Sequence, residues 1–253
     1  MIDHFVLTRS SYGVGWDLEA NQRRLAIFAG VTARLMAAQT ERRWTWIVLV
    51  DVDDPLRVDR LAIARRAGVE VRELAWRAAD QQLAAAPWDP KGATAGIRDQ
   101  VAGTAYRAPW NDAIGERPNR TLLTRLDDDD GFAPTAIARI RAAAESSRPG
   151  PKRRVWMLPV GIRVWDGRES IVRHPRNAMS TLETRAGDDA TVYDFGHQRV
   201  DAYAPVALVD ENVGWLWARH PDTLSGIRKA EHPISLHTRR LFPIAWRVLE
   251  RVA

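Results

Sequence analysis

The chain has 253 residues, 45% of them hydrophobic and 27% charged, with a formal net charge of +5 and a pI of about 10.0. This is the composition of a water-soluble globular protein with enough residues for a substantial core. The lack of any cysteine excludes disulfides, thiolate metal sites and a cysteine nucleophile, and no apolar run approaches the ~20 residues of a membrane span. The cations are almost all arginine, the lysines being Lys91, Lys152 and Lys229. They are scattered, which suits a phosphate-bearing ligand and gives no nucleic-acid stripe, so no nucleic-acid partner is expected. Met1–Leu7 has no basic segment ahead of it and reads as a first strand, which makes a cytoplasmic location the default expectation.

Taken in chain order, Phe5–Thr8 reads as a buried strand that breaks at Arg9–Gly13, a polar turn suited either to a phosphate or to an ordinary strand-to-helix connection. Leu18–Thr40 carries apolar residues at helical spacing. Trp44–Val50 is β-branched and almost continuously apolar, the pattern of a central parallel strand. It ends in an acidic turn, Asp51–Pro55, followed by a helix from Leu56 to Ala67 with Gly68 as its stop. Val69–Leu74 alternates and predicts a strand nearer an edge. The β-α-β-α-β order predicts right-handed crossovers and a mostly parallel sheet. Between 77 and 120 the pattern is weaker: a helical turn at Gln81–Ala86, a helix at Gly96–Tyr106 bearing Arg98, and an irregular stretch from Pro109 to Pro118.

Thr121–Leu126 then ends in four consecutive carboxylates, Asp127 to Asp130, ahead of Gly131 and a helix from Pro134 to Ala144. Four adjacent aspartates repel one another, and a divalent cation would relieve that; hard oxygen donors suit Mg²⁺ or Mn²⁺. Open α/β sheets bind ligands at the carboxyl ends of their strands, where this cluster stands. A solvated acidic turn capping the following helix is the competing account. The candidate metal ligands are Asp127, Asp129 and Asp130, with His220 as a distant fourth and His197 and His237 behind it. The candidate nucleotide contacts are Arg9, Asp53, Arg98, Arg125, Asp127 and Asp128. A divalent ion with arginine nearby would stabilise the charge left on a departing diphosphate.

The second half changes character. Val155–Trp165 and Glu169–Val172 flank Asp166-Gly167-Arg168, a hairpin signal. Asn177–Glu183 reads as a short helix, with Ser180 and Glu183 as a capping box. Thr191–Phe195 reads as a short strand, Pro205–Val209 is another apolar run, ended by Asp210-Glu211-Asn212, and Val213–Arg219 reads as a Trp-rich strand just before His220. Thr238–Val252 reads as a basic amphipathic helix, packed on the sheet or resting on a membrane surface. A general base for an acceptor hydroxyl would come from Glu183, Asp210 or Glu211. The whole chain, 1–253, is expected to form one domain, with a nucleotide-binding half to residue 145 and an acceptor half from residue 146.

The order of these parts resembles a GT-A-type glycosyltransferase, and more narrowly the bacterial family named for rhamnosyl transfer. The resemblance rests on His4–Arg9, Gln39-Thr40 before Trp46–Asp51, Thr124–Asp130, Asn177–Glu183, Thr191–Tyr193 with His197, and Trp215-Leu216 with His220. It implies a GT-A-like, Rossmann-like α/β fold: a mostly parallel central sheet flanked by helices, with a smaller antiparallel second half. It also implies that Asp127 and Asp129 form a DxD motif binding Mn²⁺ or Mg²⁺, that Thr8, Arg9 and Asp51 lie beside the nucleotide, and that Glu183 is the preferred base. The implied reaction is transfer of a sugar, rhamnose in the narrowest form, from a nucleoside-diphosphate sugar to a carbohydrate, glycolipid, small-molecule or protein acceptor. Pro221-Asp222-Thr223 after His220 departs from the Gly and Asn usual there. A nucleotidyltransferase or metal-dependent phosphohydrolase would also use an aspartate cluster, but Arg9–Gly13 is a poor phosphate loop for one. A non-enzymatic binding protein would leave the cluster as a solvated turn.

Overall fold

The computed structural model describes residues 1–10, 18–76, 107–148, 150–165, 168–219 and 242–244. Strand β1 (Ile2–Arg9) is followed by α1 (Leu18–Ile27), a π-helical turn (Phe28–Thr32) and α2 (Ala33–Ala37). Then come β2 (Thr45–Asp51), α3 (Arg57–Arg65) and β3 (Glu70–Trp76). Helix α4 covers 107–114. Next are β4 (Arg120–Asp127), β5 (Asp130–Phe132), α5 (Ala136–Ser146), β6 (Arg153–Met157), β7 (Val160–Trp165) and β8 (Arg168–Arg173). Strand β9 (Ser180–Thr184), helix α6 (Val200–Tyr203), β10 (Val206–Leu208) and β11 (Val213–Arg219) complete the described elements.

The strands form a seven-stranded sheet, β10-β6-β9-β4-β1-β2-β3, and a four-stranded sheet, β5-β11-β7-β8. In the larger sheet β1, β2, β3 and β4 run parallel, and only β9 opposes its neighbours β4 and β6. This is the mostly parallel central sheet flanked by helices that was expected, with β3 at its edge as expected, and the smaller sheet is mixed, since β11 pairs parallel with β7 and antiparallel with β5. Strands from both halves of the chain share both sheets, because β6, β9 and β10 join the large one and β5 pairs with β11.

Alternation along each strand divides the core in two. Val6, Trp46, Val48, Leu122 and Leu126 face α2, α3 and α5 through Met36, Leu61, Ala64, Ile137 and Ile140. Leu7, Ile47, Leu49 and Leu123 face α4 and the segment 190–204 through Trp110, Ile114, Val192, Tyr193 and Phe195. Within the smaller sheet Gly161 of β7 pairs in register with Trp215 of β11, and a Cβ there would lie 2.0 Å from the fully buried Trp215 ring.

Several expectations are corrected by tertiary context. The run Val155–Trp165 is not one hairpin arm. It breaks at Leu158-Pro159, where proline has no N–H for a ladder, so β6 enters the large sheet and β7 the small one, where β7 and β8 form the expected hairpin. Asn177–Glu183 is not a helix. Asn177 holds a loop by donating to the Leu158 and His174 carbonyls and accepting from Met179 N–H, and β9 then fills the gap between β4 and β6. Thr191–Phe195 is a turn, closed by Asp194 accepting from the Thr191 amide and hydroxyl; Val192, Tyr193 and Phe195 all reach the same core, which a strand's alternation would forbid. Within the stretch read as irregular, α4 buries Trp110. The helical segments expected at 81–86, 96–106 and 238–252 fall outside the described residues. Among the described residues no helix is long and apolar enough to cross a membrane.

A polar rung crosses the centre of the large sheet. His4 Nε2 lies 2.7 Å from Thr124 Oγ1, which lies 2.7 Å from Thr181 Oγ1. Burial, reinforced by the Arg141 charge, lowers the His4 pKa from 6.5 to about 3. The unfolded chain therefore takes up this proton at pH values where the folded chain refuses it. Stability is full above pH 6.5 and is expected to fall by about 1.4 kcal/mol per pH unit as pH drops toward 3. Urea titrations at pH 7 and pH 5 check this, and His4→Gln is expected to flatten that part of the profile.

Candidate active site

The carboxyl ends of β1 and β4 lie side by side, with Arg9 opposite Asp127 and, on the other flank, opposite Leu49 of β2. Arg125 and Asp127 are two residues apart and so project from one face of β4. Arg125 donates from Nε and Nη2 to both Asp127 oxygens at 3.2 and 3.1 Å, and Arg9 Nη2 is 3.8 Å from the same carboxylate. Both guanidiniums lie over the ring of Tyr193, at 4.7 Å for Arg9 and 5.4 Å for Arg125, a cation–π arrangement that fixes their planes. Tyr193 is itself fixed, stacked on Trp110 with centroids 5.4 Å apart and donating its hydroxyl proton to the Leu7 carbonyl at 3.0 Å. Burial pushes the Tyr193 phenol well above its ordinary range, so it stays a donor. Burial also opposes ionisation of Asp127, but Arg125 and then Arg9 outweigh it and hold the carboxyl well below the usual carboxylate range.

Asp128 turns to the opposite, helix-covered face and is fully buried. Its carboxylate accepts from Arg24 of α1 and from Ser10 Oγ at 3.2 Å, with Arg60 of α3 at 3.6 Å. Arg24 remains a cation despite burial because Asp128 and Asp129 raise its pKa. Asp129 is paired with Arg24 at 3.8 Å. Asp130 accepts the Ala218 amide at 3.2 Å, locking β5 to β11. The turn is also held by Thr32, whose Oγ1 lies 3.0 and 2.7 Å from the Asp128 and Asp130 carbonyls. Gly131 is required by space, since a Cβ there would lie 2.1 Å from Leu35 Cδ1.

Repulsion among the four aspartates is thus relieved in part by guanidiniums of the chain itself. What remains for a divalent ion is a narrower set. Asp128 and Asp130 are committed to protein partners, whereas Asp127 and Asp129 keep 26% and 12% side-chain exposure at the strand end. Two carboxylates at i and i+2 fit a hard cation. Among the described residues no third His, Cys, Asp or Glu completes a cluster of three.

The other candidates are dispersed. Thr8 is buried and accepts from Trp46 Nε1 at 2.9 Å, on the face away from Tyr193. Asp51 closes its own turn by accepting the Asp53 amide at 3.0 Å, and Asp53 is exposed. Glu183 pairs in register with Leu122, five residues and about 17 Å along β4 from Asp127; there it accepts from Arg120 at 2.9 and 2.6 Å and from Trp156 Nε1 at 2.8 Å. It is not brought to the aspartate turn. Asp210 is held by Arg139 of α5, and Glu211 pairs with Arg173 at the surface. His197 lies in a short 3₁₀ turn. Arg98, His220 and His237 lie outside the described residues, as does Ser11–Gly13 of the proposed phosphate loop.

Sequence reasoning gave no role to Ser10, Asn21, Arg24, Asp54, Arg60 or the Tyr193 ring. A signal existed for three of these: Arg60 precedes core residue Leu61 and shares a helical face with Ala64, and Asn21 and Arg24 are one turn apart on the buried face of α1. Tyr193 acts through a turn that reads locally as a strand.

The sequence model of a family described as "Putative rhamnosyl transferase" matches residues 97–231. No curated protein matches the chain. Among solved structures, TarS from S. aureus is similar at a TM-score of 0.41 and 9% identity, over 87% of this chain and 37% of that one. Mouse xyloside xylosyltransferase 1, in its apo form, is similar at 0.43 and 11%, over 83% and 86%. HddC from Yersinia pseudotuberculosis is similar at 0.39 and 11%, over 82% and 90%. All three are distant likenesses, and the chain spans little more than a third of TarS.

Glu183→Ala strips two buried donors of their acceptor, which costs about 1–3 kcal/mol. The expected outcome is a lower denaturation midpoint with ligand binding at the Asp127 end unchanged, read by urea titration and by ligand titration of the folded variant.

Proposed function

The chain belongs to that rhamnosyl transferase family, whose model covers more than half of it, and from this premise we propose that it transfers a sugar from a nucleoside-diphosphate donor to an acceptor hydroxyl. Rhamnose is the sugar the family description suggests. The observation that carries the donor reading is the Arg9–Arg125–Asp127 group clamped over Tyr193 at the carboxyl edge of the parallel strands. Three of these four residues lie inside the family match.

Cleaving the bond between the sugar and the diphosphate leaves additional negative charge on the departing group. Arg9 and Arg125 are fixed in orientation before any ligand arrives, so they can meet that charge without reorganising. Their forked donors suit phosphate oxygens. Asp127 holds the pair over the Tyr193 ring and screens their mutual repulsion. Asp127 and Asp129 would hold the divalent ion, which when bound supplies Lewis-acid neutralisation of the diphosphate. The acceptor, a carbohydrate, glycolipid, small molecule or protein, would approach from the second half of the chain.

A thermal-shift panel of UDP, dTDP, GDP and CDP, each with and without Mn²⁺, tests this. A ligand at ~100 times its dissociation constant contributes about 2.7 kcal/mol, which raises the Tm of a chain this size by roughly 5–10 °C. One diphosphate is expected to shift the wild type with Mn²⁺, and Arg125→Ala and Asp127→Asn are expected to remove the shift. Asp129→Asn is expected to weaken only the Mn²⁺-dependent part. No shift from any of the four nucleotides would sink the proposal.

A further inference from the structure

Arg60 is fully buried on α3 and belongs to no catalytic group so far described. Its Nε donates to Asp54 Oδ2 at 2.8 Å, its Nη1 to Ser10 Oγ at 3.1 Å, and its Nη2 to the side-chain and backbone oxygens of Asn21. The same Nη1 is 3.6 Å from Asp128 Oδ2. Ser10 follows β1, Asp54 follows β2 and Asp128 follows β4. One guanidinium therefore touches the loops that leave three adjacent parallel strands, at the edge where the donor site stands.

The surrounding bonds close the network. Ser10 Oγ, besides accepting from Arg60, donates to Asp128 at 3.2 Å. Asp54 accepts from Asn21 Nδ2 at 2.7 Å and from the Leu56 amide at 2.8 Å. Arg24 donates to the other Asp128 oxygen. Two buried carboxylates, Asp54 and Asp128, thus face two buried or nearly buried guanidiniums, Arg60 and Arg24. Removing one member leaves an uncompensated charge, so the four have a single joint geometry. Asp128 sits between Asp127 and Asp129 in the chain. Fixing its carboxylate on the helix side leaves Asp127 on the opposite face of β4, while Arg24 at 3.8 Å ties Asp129 to the same network.

We propose that Arg60 is a positioning residue, which through Asp54, Ser10 and Asp128 holds the Asp127–Asp130 turn in its ligand-ready shape. The second acidic run, Asp51–Asp54, then serves the site through Asp54 as a buttress rather than as a ligand contact. A lysine cannot replace this arginine, because a single ammonium cannot fork to Asp54, Ser10 and Asn21 at once.

Two variants separate positioning from stability. Arg60→Met with Asp54→Asn removes one charge of each sign and so leaves no buried imbalance. Arg60→Lys keeps the charge and loses the fork. The first readout is amide hydrogen exchange in the unliganded protein. In the double variant, exchange at residues 128–131 is expected to rise about tenfold or more, with the β7–β8 hairpin unchanged. The second readout rests on the donor-site reading and is the dissociation constant of the nucleoside diphosphate picked out by the panel with Mn²⁺. It is expected to weaken about 10–100-fold in the double variant and by less in Arg60→Lys. Unchanged exchange at 128–131 overturns the proposal. So does a lower Tm accompanied by an unaltered dissociation constant, which is what a merely structural ion pair would give. If the wild type binds none of the four diphosphates, the donor reading fails, and the exchange measurement still decides whether Arg60 holds the turn.

Discussion

Four consecutive carboxylates at the end of a strand are the constraint on which the rest of this structure depends. Their repulsion must be compensated, and the chain compensates it with guanidiniums drawn from β1, α1, α3 and β4 itself. Arg9, Arg24 and Arg60 are more than 65 residues from the aspartates in sequence. The ion pairs therefore act as long-range ties: α1 and α3 cannot leave the sheet without exposing a charge deficit in its interior.

Strand geometry turns this neutralisation into a site. Because successive side chains alternate, Asp127 and Asp128 serve different faces. Asp127 meets Arg9 and Arg125 over an aromatic plate at the edge of the sheet and stays partly exposed. Asp128 meets Arg24, Arg60 and Ser10 in the interior, where no ligand reaches. The polar residues on the helix side brace the turn, and those on the Tyr193 side form the group proposed as the donor site. Gly131 lets the turn pack directly on Leu35, and Thr32 ties it to the π-helical turn after α1.

The base candidates show how sequence pattern and tertiary placement diverge. Glu183 fits a capping box in the sequence, but the gap between β4 and β6 recruits its segment as an antiparallel strand. Antiparallel direction then carries Glu183 to the amino-terminal side of the sheet, beside Arg120, while Thr181 stays level with Thr124. Asp210 and Glu211 are each met by an arginine as well. In a chain this rich in arginine, a carboxylate's partner must be known before it is given a role.

The sequence by itself determined the parallel core: apolar β-branched runs can be buried only between helices, so β1, β2 and β4, the helices between them and the strand-end position of Asp127–Asp130 could be read locally. It also determined that the charged side chains are mostly arginine and aspartate and that no cysteine is present. Tertiary structure decided everything that depends on partners distant in the chain. It placed β9 as the antiparallel insert, broke the run at Pro159 between two sheets, turned Thr191–Phe195 into the mount for Tyr193, and set Asp127 beside Arg9 and Arg125 at the carboxyl edge while sealing Asp128 in the core. Those outcomes depend on which groups are left to satisfy when the sheet closes. Charge compensation and hydrogen bonding across more than a hundred residues set that, and no local periodicity records it.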